Sequence, residues 1–272
     1  MYVTLRCLFK PRKILRNYFS SHSKVRLIAD LVQDDIVLLD IGAAGGIEPR
    51  SKPIHSAIRY IAIEPDDRSS GYKDSDLGFR STRYIDVFAW DSDKTLKFNY
   101  CRDPQVSSVF KPNTKLLDNY PRSERFEVIT ELSVNARRLD HVIPDEDVDF
   151  IKLDVQGAEL AVLRGLGEKL STCIGIEVEV EFSEIYSNQP LFAEIDSYLQ
   201  SKGFFFCDFT NLCRWEKDGM TDFGRCVFGD GLWLKKSYLL SSTSEEFLTK
   251  ASLICALYGK ADEALCYLSS LS

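Results

Sequence analysis

A chain of 272 residues, 44% apolar and 28% charged, can supply one α/β domain with a full core plus a small accessory. Its net charge of −7 excludes general nucleic-acid binding, and no apolar run approaches the roughly 18 residues that would cross a bilayer. Eight scattered cysteines without a CxxC pair suit neither zinc nor a disulfide framework, so reduced thiols in a cytoplasmic protein are expected.

The first 30 residues are separate in character. No acid precedes Asp30, while Arg6, Lys10, Arg12, Lys13, Arg16, Lys24 and Arg26 are interleaved with Leu5, Leu8, Phe9, Ile14, Leu15, Tyr18 and Phe19. Two readings stand: a leading helix packed on the domain with a solvated basic face, or a peripheral contact with a membrane surface or other polyanion. No continuous apolar stretch follows the basic residues, so no secretory signal is expected.

Residues 36–40 form an apolar run ending in Asp40, which leads into the small-residue loop 41–46. Residues 60–64 repeat the arrangement with Glu64, closed by Pro65, after a stretch that could hold a helix. Such runs read as adjacent parallel strands covered on both faces. Parallel sheets bind ligands beyond the carboxyl ends of their strands, which is where Asp40 and Glu64 fall. Residues 83–90 read as a third strand, 94–100 as a half-exposed strand, 102–113 as a loop and 126–134 as another strand. An acidic linker, 144–147, precedes strand 148–154, and Gly157 turns the chain into a helix over 158–170. Strand 173–182, helix 191–202 stopped by Gly203, and strands 204–206 and 226–234 complete the pattern. The alternation predicts an α/β fold: a doubly wound, mostly parallel seven-stranded sheet with helices on both faces.

Thr243 and Glu246 match a capping box that opens a helix to about residue 258, and after Gly259-Lys260 a second helix is expected over 261–271. One such hairpin cannot bury its own face. It is expected to pack on the main domain or on a partner chain, the latter giving a homo-oligomer. The expected organisation is a basic segment 1–30, a domain 31–238 and a helical hairpin 239–272.

The loop after Asp40 argues for a particular ligand. A dinucleotide fingerprint needs glycine at 42, 44 and 47, whereas the chain has Gly42, Ala44 and Ile47. A carboxylate directly before the loop repels a pyrophosphate and attracts an ammonium group. Glu64 can accept a bond from each hydroxyl of a ribose. An amino-acid head group, a sulfonium and a ribose together describe S-adenosylmethionine.

Asp40-Ile-Gly42-Ala-Ala44-Gly-Gly46 resembles the first motif of Rossmann-like methyltransferases, an acid followed by alternate glycines, with Ala44 in the middle place. The longer run Asp149-Phe-Ile-Lys152-Leu-Asp154-Val-Gln156-Gly157-Ala-Glu159-Leu-Ala-Val-Leu163-Arg-Gly165 is similar to the signature of the FkbM family of S-adenosylmethionine-dependent methyltransferases, many of which carry Glu at the place of Gln156. The Ser107-Ser108 loop and residues 177–186 resemble one branch of that family. The resemblance covers approximately residues 36–236. It implies O-methylation of a hydroxyl on a sugar, glycan or secondary metabolite, with S-adenosylmethionine as cofactor. It further implies that Asp40, Gly42, Ala43, Ala44 and Gly46 line the methionine end, that Glu64 and Pro65 hold the ribose, and that Phe88 and Ala89 lie against adenine. Asp154 would face the transferred methyl group. Gln156 and Glu177 are assigned to the acceptor side, and Ser107 and Ser108 read either as turn formers or as acceptor contacts.

Glu177, Glu179 and Glu181 share one face of a strand, and Lys152 sits on the same face as Phe150 and Asp154. One reading is structural, a Lys152–glutamate ion pair with exposed strand-end acids. The other is catalytic: Asp154 or a glutamate, Glu179 first, takes the acceptor proton, with Lys152 in the same machinery. His55 and His141 read as surface or boundary residues. No compact ligand spacing points to a metal. Two functions are carried forward, an active O-methyltransferase and an inactive cofactor-binding module that recruits partners. A nicotinamide oxidoreductase is a distant third.

Overall fold

The computed structural model describes residues 34–45, 47, 49–66, 68, 77–217, 223–236 and 244–270. The basic N-terminal segment, Gly46 and Thr243 lie outside the described residues. In chain order the strands are β1 (Ile36–Ile41), β2 (Ile58–Ile63), β3 (Ser81–Ile85), β4 (Phe88–Trp90), β5 (Lys94–Cys101), β6 (Val128–Arg138), β7 (Phe150–Leu153), β8 (Gly175–Glu181), β9 (Phe204–Trp215) and β10 (Arg225–Lys235). The α-helices are α1 (Thr114–Leu117), α2 (Leu139–Val142), α3 (Glu159–Gly165), α4 (Lys169–Thr172), α5 (Phe192–Ser201), α6 (Glu245–Leu257) and α7 (Ala261–Ser269).

Seven strands make one sheet in the order β3-β2-β1-β7-β8-β10-β9. The first five run parallel, and β10 is antiparallel to both its neighbours. From β1 the sheet grows toward β2 on one side and toward β7 on the other. Strand order therefore reverses between β1 and β7, and a crevice opens at their carboxyl ends.

The apolar runs lack alternation because both faces are covered. Val37, Leu39, Ile41, Ile151 and Ile176 pack on one face with Leu160 and Leu163 of α3 and Ile195 and Leu199 of α5. Ile36, Ile58, Tyr60, Phe150 and Leu232 pack on the other with Ile54 of the segment before β2, Leu248, Ala251 and Ile254 of α6, and Ala264 and Tyr267 of α7. The C-terminal hairpin thus covers the second face of the sheet.

Several boundaries differ from the sequence expectation, each for a reason set by packing. The expected strand 83–90 divides: Ser81–Ile85 joins the main sheet, and Phe88–Trp90 pairs with β6 in a second sheet ordered β4-β6-β5. The expected helix 158–170 breaks after Gly165, which packs so tightly on Trp90 that a Cβ would lie 2.0 Å from its carbonyl oxygen. Gly167 then adopts φ +55 and a separate turn, α4, follows. The stretch before β2 is a 3₁₀ helix (Pro49–Ala57), and β9 runs on to Trp215 as the antiparallel partner of β10. The cap of α6 is Ser244, whose hydroxyl accepts from the Phe247 amide, where Thr243 had been expected.

Candidate active site

The crevice is built where two loops meet backbone to backbone. After Ile41 the chain turns through Gly42 at φ +80, and a Cβ there would fall 1.7 Å from the carbonyl oxygen of Asp154. Asp154 N donates to Ile41 O at 2.9 Å, and Gly42 N donates to Ile63 O at 2.9 Å. Only glycine permits this approach at a left-handed backbone.

The loop leaving β7 is strained and heavily tied. Gln156 has φ +56 and Gly157 φ +95. A non-glycine residue in this region costs on the order of 1–3 kcal/mol and persists only when its surroundings over-determine it. Here the Ser108 hydroxyl donates to the Gln156 carbonyl at 2.6 Å. The Gln156 amide donates to Asp154 Oδ1 at 2.8 Å and to Glu179 Oε1 at 2.9 Å. Its Oε1 lies 2.8 Å from the Tyr186 hydroxyl, which also lies 3.0 Å from the Val106 carbonyl. Glu159, at the start of α3, accepts from Val155 N at 2.9 Å and Gly157 N at 3.2 Å. One amide therefore holds two carboxylates side by side.

These groups border a cavity of about 300 Å³. Gly42 and Ala44 line one end, with Glu64, Pro65 and Asp66 beside them and Val87, Phe88 and Ala89 as an apolar wall. Asp154, Gln156 and Glu179 follow, then Phe126, Trp215 and Phe228. Glu64 is buried and accepts the Asp66 amide at 2.7 Å. Ser107 also lines the cavity, its hydroxyl accepting from Cys101 N and Arg68 Nη2 at 3.0 Å each.

Other residues expected here face elsewhere. Asp40 does not line the cavity: it is 2% exposed, accepts from the Tyr60 hydroxyl at 2.7 Å, and lies 3.7 Å from Lys152 Nζ. Register explains this, because Asp40, Lys152 and Glu177 are direct neighbours across β1, β7 and β8. Lys152 and Glu177 therefore belong to a charged layer beneath the cavity. Glu177 there accepts from Tyr258 at 2.8 Å and Thr210 at 2.5 Å, and pairs with Arg50 at 3.4 Å. The expected Lys152–glutamate pair is in the structure a Lys152–Asp40 pair. Ala43 packs in the core, and Ser108 is fully buried as a brace for Gln156 rather than a wall of the cavity.

Burial and neighbouring acids set the charge states. Burial and the adjacent Asp154, Glu181, Glu159 and Asp230 push Glu179 well above the ordinary carboxylate range, and burial with Glu159 does the same to Glu181. Glu159 rises to about 7, chiefly by burial, and Asp230 to about 6 by burial and Glu177. Burial pulls Lys152 down, but Asp40, Asp154, Glu177 and Asp230 outweigh it, and it stays charged.

A pH dependence of stability follows. In the unfolded chain Glu159 and Asp230 ionise near 4.5 and 3.8, so between those values and about 7 and 6 the unfolded state releases protons before the fold does. Stability is therefore expected to fall as pH rises from about 4 to 7. Thermal melts of the cofactor-free protein should show a higher Tm at pH 5.5 than at pH 7.5, and Glu159→Gln should flatten the slope. A Tm that rises across this window would contradict the assignment.

Sequence reasoning missed several residues at the site. Tyr186 and Glu159 stood inside quoted motifs without a role, although a tyrosine and an acid next to a glycine turn were available signals. Arg125, Phe126, Trp215 and Phe228 come from segments distant in sequence, and only the fold brings them together.

A glycine turn at a parallel-sheet switch point, a buried acid beside an apolar wall, and paired carboxylates in the same cavity define a nucleoside-binding group-transfer enzyme of the Rossmann-like kind. The sequence matches the Methyltransferase FkbM domain over residues 40–206, more than half of the chain, and the protein belongs to that family of S-adenosylmethionine-dependent methyltransferases. It is 28% identical over 183 residues to the 2-O-methyltransferase NoeI of Sinorhizobium fredii, covering 63% of this chain and 74% of that one. Among solved structures, magnesium protoporphyrin IX methyltransferase from Synechocystis with bound SAM matches with TM-score 0.38 and 10% identity, covering 87% of this chain and 100% of that chain. Precorrin-6y C5,15-methyltransferase from Geobacter metallireducens matches with TM-score 0.38 and 12% identity, covering 78% and 89%.

The residues present fit S-adenosylmethionine. Glu64 would offer a carboxylate to ribose hydroxyls, Val87 and Phe88 an apolar wall to a purine, and Asp154 an acidic side chain to a sulfonium.

Proposed function

We propose that the chain is an O-methyltransferase acting on a hydroxyl of a sugar or glycan. The observation that carries this reading is the Asp154–Gln156–Glu179 arrangement: two carboxylates at one cavity floor, held in register by a single amide. S-adenosylmethionine, when bound, supplies an activated methyl group on a sulfonium. What remains for the protein is to align a hydroxyl and remove its proton. Glu179, raised well above the ordinary carboxylate range by burial and the neighbouring acids, is suited to accept that proton. Asp154, beside it, faces the sulfonium. Gln156 fixes both oxygens, and Tyr186 fixes Gln156. Glu64 and Pro65 hold the ribose, Phe88 and Ala89 the adenine, and Gly42 and Ala44 the methionine end. Ser107 borders the acceptor side. The similarity to a 2-O-methyltransferase supports a hydroxyl acceptor, and the aromatic wall of Phe126, Trp215 and Phe228 supports a sugar ring, whose C–H face stacks on such surfaces.

The test is release of S-adenosylhomocysteine from S-adenosylmethionine in the presence of oligosaccharides, nucleotide sugars and glycolipids. Acceptor-dependent release, with the methyl group recovered as an ether, is expected. Release only with amine or thiol acceptors, or none with any acceptor despite cofactor binding, overturns the reading. The second outcome would favour the inactive binding module.

A further inference from the structure

The cavity has a charge gradient along its length. At the cofactor end its titratable side chains are Glu64, Asp66, Asp154 and Glu179, all acidic. At the other end the lining holds one cation, Arg125. Beyond it a second cavity of about 330 Å³ shares Arg125, Phe126, Trp215 and Phe228 with the first. The charged groups on that outer wall are Arg122, Arg125 and Arg214 against a single acid, Glu216. In a chain of net charge −7, this concentration of arginine is local.

Among the described residues, Arg125 is held by ring contacts and not by an ion pair. Arg59, Arg68, Arg102 and Arg138 each pair with a carboxylate, Glu146, Asp66, Glu127 and Asp140 respectively. Among the described residues, no carboxylate lies within ion-pair distance of Arg125. Its guanidinium instead sits 4.8 Å from the centroid of the Phe126 ring and 5.8 Å from that of Trp215. Stacking of this kind fixes the plane of the guanidinium and leaves its edge donors for a ligand. A planar fork without an internal partner, at the junction of two cavities, is the arrangement that reads a carboxylate or phosphate through two parallel hydrogen bonds.

We propose that the methyl acceptor is an anionic sugar, bearing a carboxylate or phosphate, and that Arg125 selects it at the junction of the two cavities. The inference rests on the sugar-hydroxyl reading above and narrows it. The sugar ring lies along Trp215 and Phe126 with the reacting hydroxyl toward Glu179, and its anionic group lies outward on Arg125. Arg122 and Arg214 add long-range attraction for the same charge. The gradient also disfavours the reversed orientation, since an anion at the Asp154–Glu179 end would face two carboxylates.

The experiment compares S-adenosylhomocysteine release with three acceptors: a glucuronic acid-terminated disaccharide, a hexose 6-phosphate and the neutral glucose-terminated disaccharide. The wild-type protein is expected to favour one or both anionic acceptors over the neutral one by tenfold or more in kcat/KM, the preference shrinking in 0.5 M salt. Which of the two is preferred tells carboxylate from phosphate. Arg125→Gln should lower kcat/KM for the anionic acceptor by roughly 10- to 100-fold, through KM, and by at least tenfold more than for the neutral acceptor. Arg125→Lys, which keeps the charge and loses the fork, should fall between. Cofactor affinity, read by calorimetry, checks that the variants are folded, and wild-type selectivity stands as a readout even if Arg125→Gln is not. Equal use of neutral and anionic acceptors, or equal losses on both in Arg125→Gln, overturns the proposal while leaving hydroxyl methylation intact. No release from any acceptor overturns both.

Discussion

Glu179→Gln is expected to lower kcat by roughly 10²- to 10⁴-fold, the usual contribution of a positioned general base, with cofactor affinity little changed. The substitution is close to isosteric and keeps an oxygen for the Gln156 amide, which in the native protein donates to Glu179 Oε1 at 2.9 Å. What it removes is the ability to take a proton. In the native protein the acid limb of the kcat–pH profile should lie well above the ordinary carboxylate range, because burial and Asp154 raise Glu179. Asp154→Asn should reduce turnover too, and the two losses should not add, since both residues share Gln156. Turnover by Glu179→Gln within threefold of the native rate would falsify the assignment of this residue as the base.

Lys152→Met carries the largest expected effect on stability, about 3–5 kcal/mol of destabilisation, because it strips the cation from a buried carboxylate. Asp40 is 2% exposed, and without Lys152 it would keep the Tyr60 hydroxyl but have no opposite charge at 3.7 Å. For a chain of this size the loss corresponds to a fall in Tm of roughly 10 °C. Combining it with Asp40→Asn should recover part of the loss, since the amide oxygen can still accept from Tyr60 while the uncompensated charge is gone. Thermal denaturation of the single and double variants gives the coupling energy directly. The same pair of variants separates the two roles read from the sequence for Lys152. A catalytic lysine would cost turnover even in the stabilised double variant below its melting temperature. A structural one would not, and a Tm for Lys152→Met equal to that of the native protein would reject the structural role.

The split between Lys152 and Glu179 illustrates how far the sequence could be read. That the three glutamates share one face of their strand, and Lys152 one face with Phe150 and Asp154 of its own, follows from strand alternation alone. Which of them meets the cavity depends on register, and register depends on sheet order. Asp40↔Lys152↔Glu177 form one row, and two residues further along each chain come Asp154, just past the end of β7, and Glu179, tied to each other by Gln156. Two residues of displacement along a strand separate a buried ion pair from the wall of the cavity. The glycine turn, Glu64, Phe88 and Ala89 were legible because they follow strand ends at short range. Residues 83–90 looked like one strand because their local pattern is continuous. Only pairing with β6 takes Phe88–Trp90 into a different sheet. Arg125 and Trp215 carried no local signal, since their neighbourhood is made by chain segments some 90 residues apart.

The hairpin of α6 and α7 has a bearing on where this enzyme ends. The match to the family's domain ends at residue 206, inside β9, before β10 and before either helix of the tail. Yet β10 is hydrogen-bonded along the whole of β8, the strand that presents Glu179, and Tyr258 at the end of α6 donates to Glu177 two residues earlier on that strand. Inherited chemistry and mechanical self-sufficiency therefore have different borders in this chain. A fragment trimmed to the recognisable segment would carry the cofactor loop and both carboxylates, but it would leave Phe150, Tyr60 and Ile58 facing water. The matched segment holds the glycine turn and the cavity carboxylates, while the sheet face beneath them is closed by the last thirty residues.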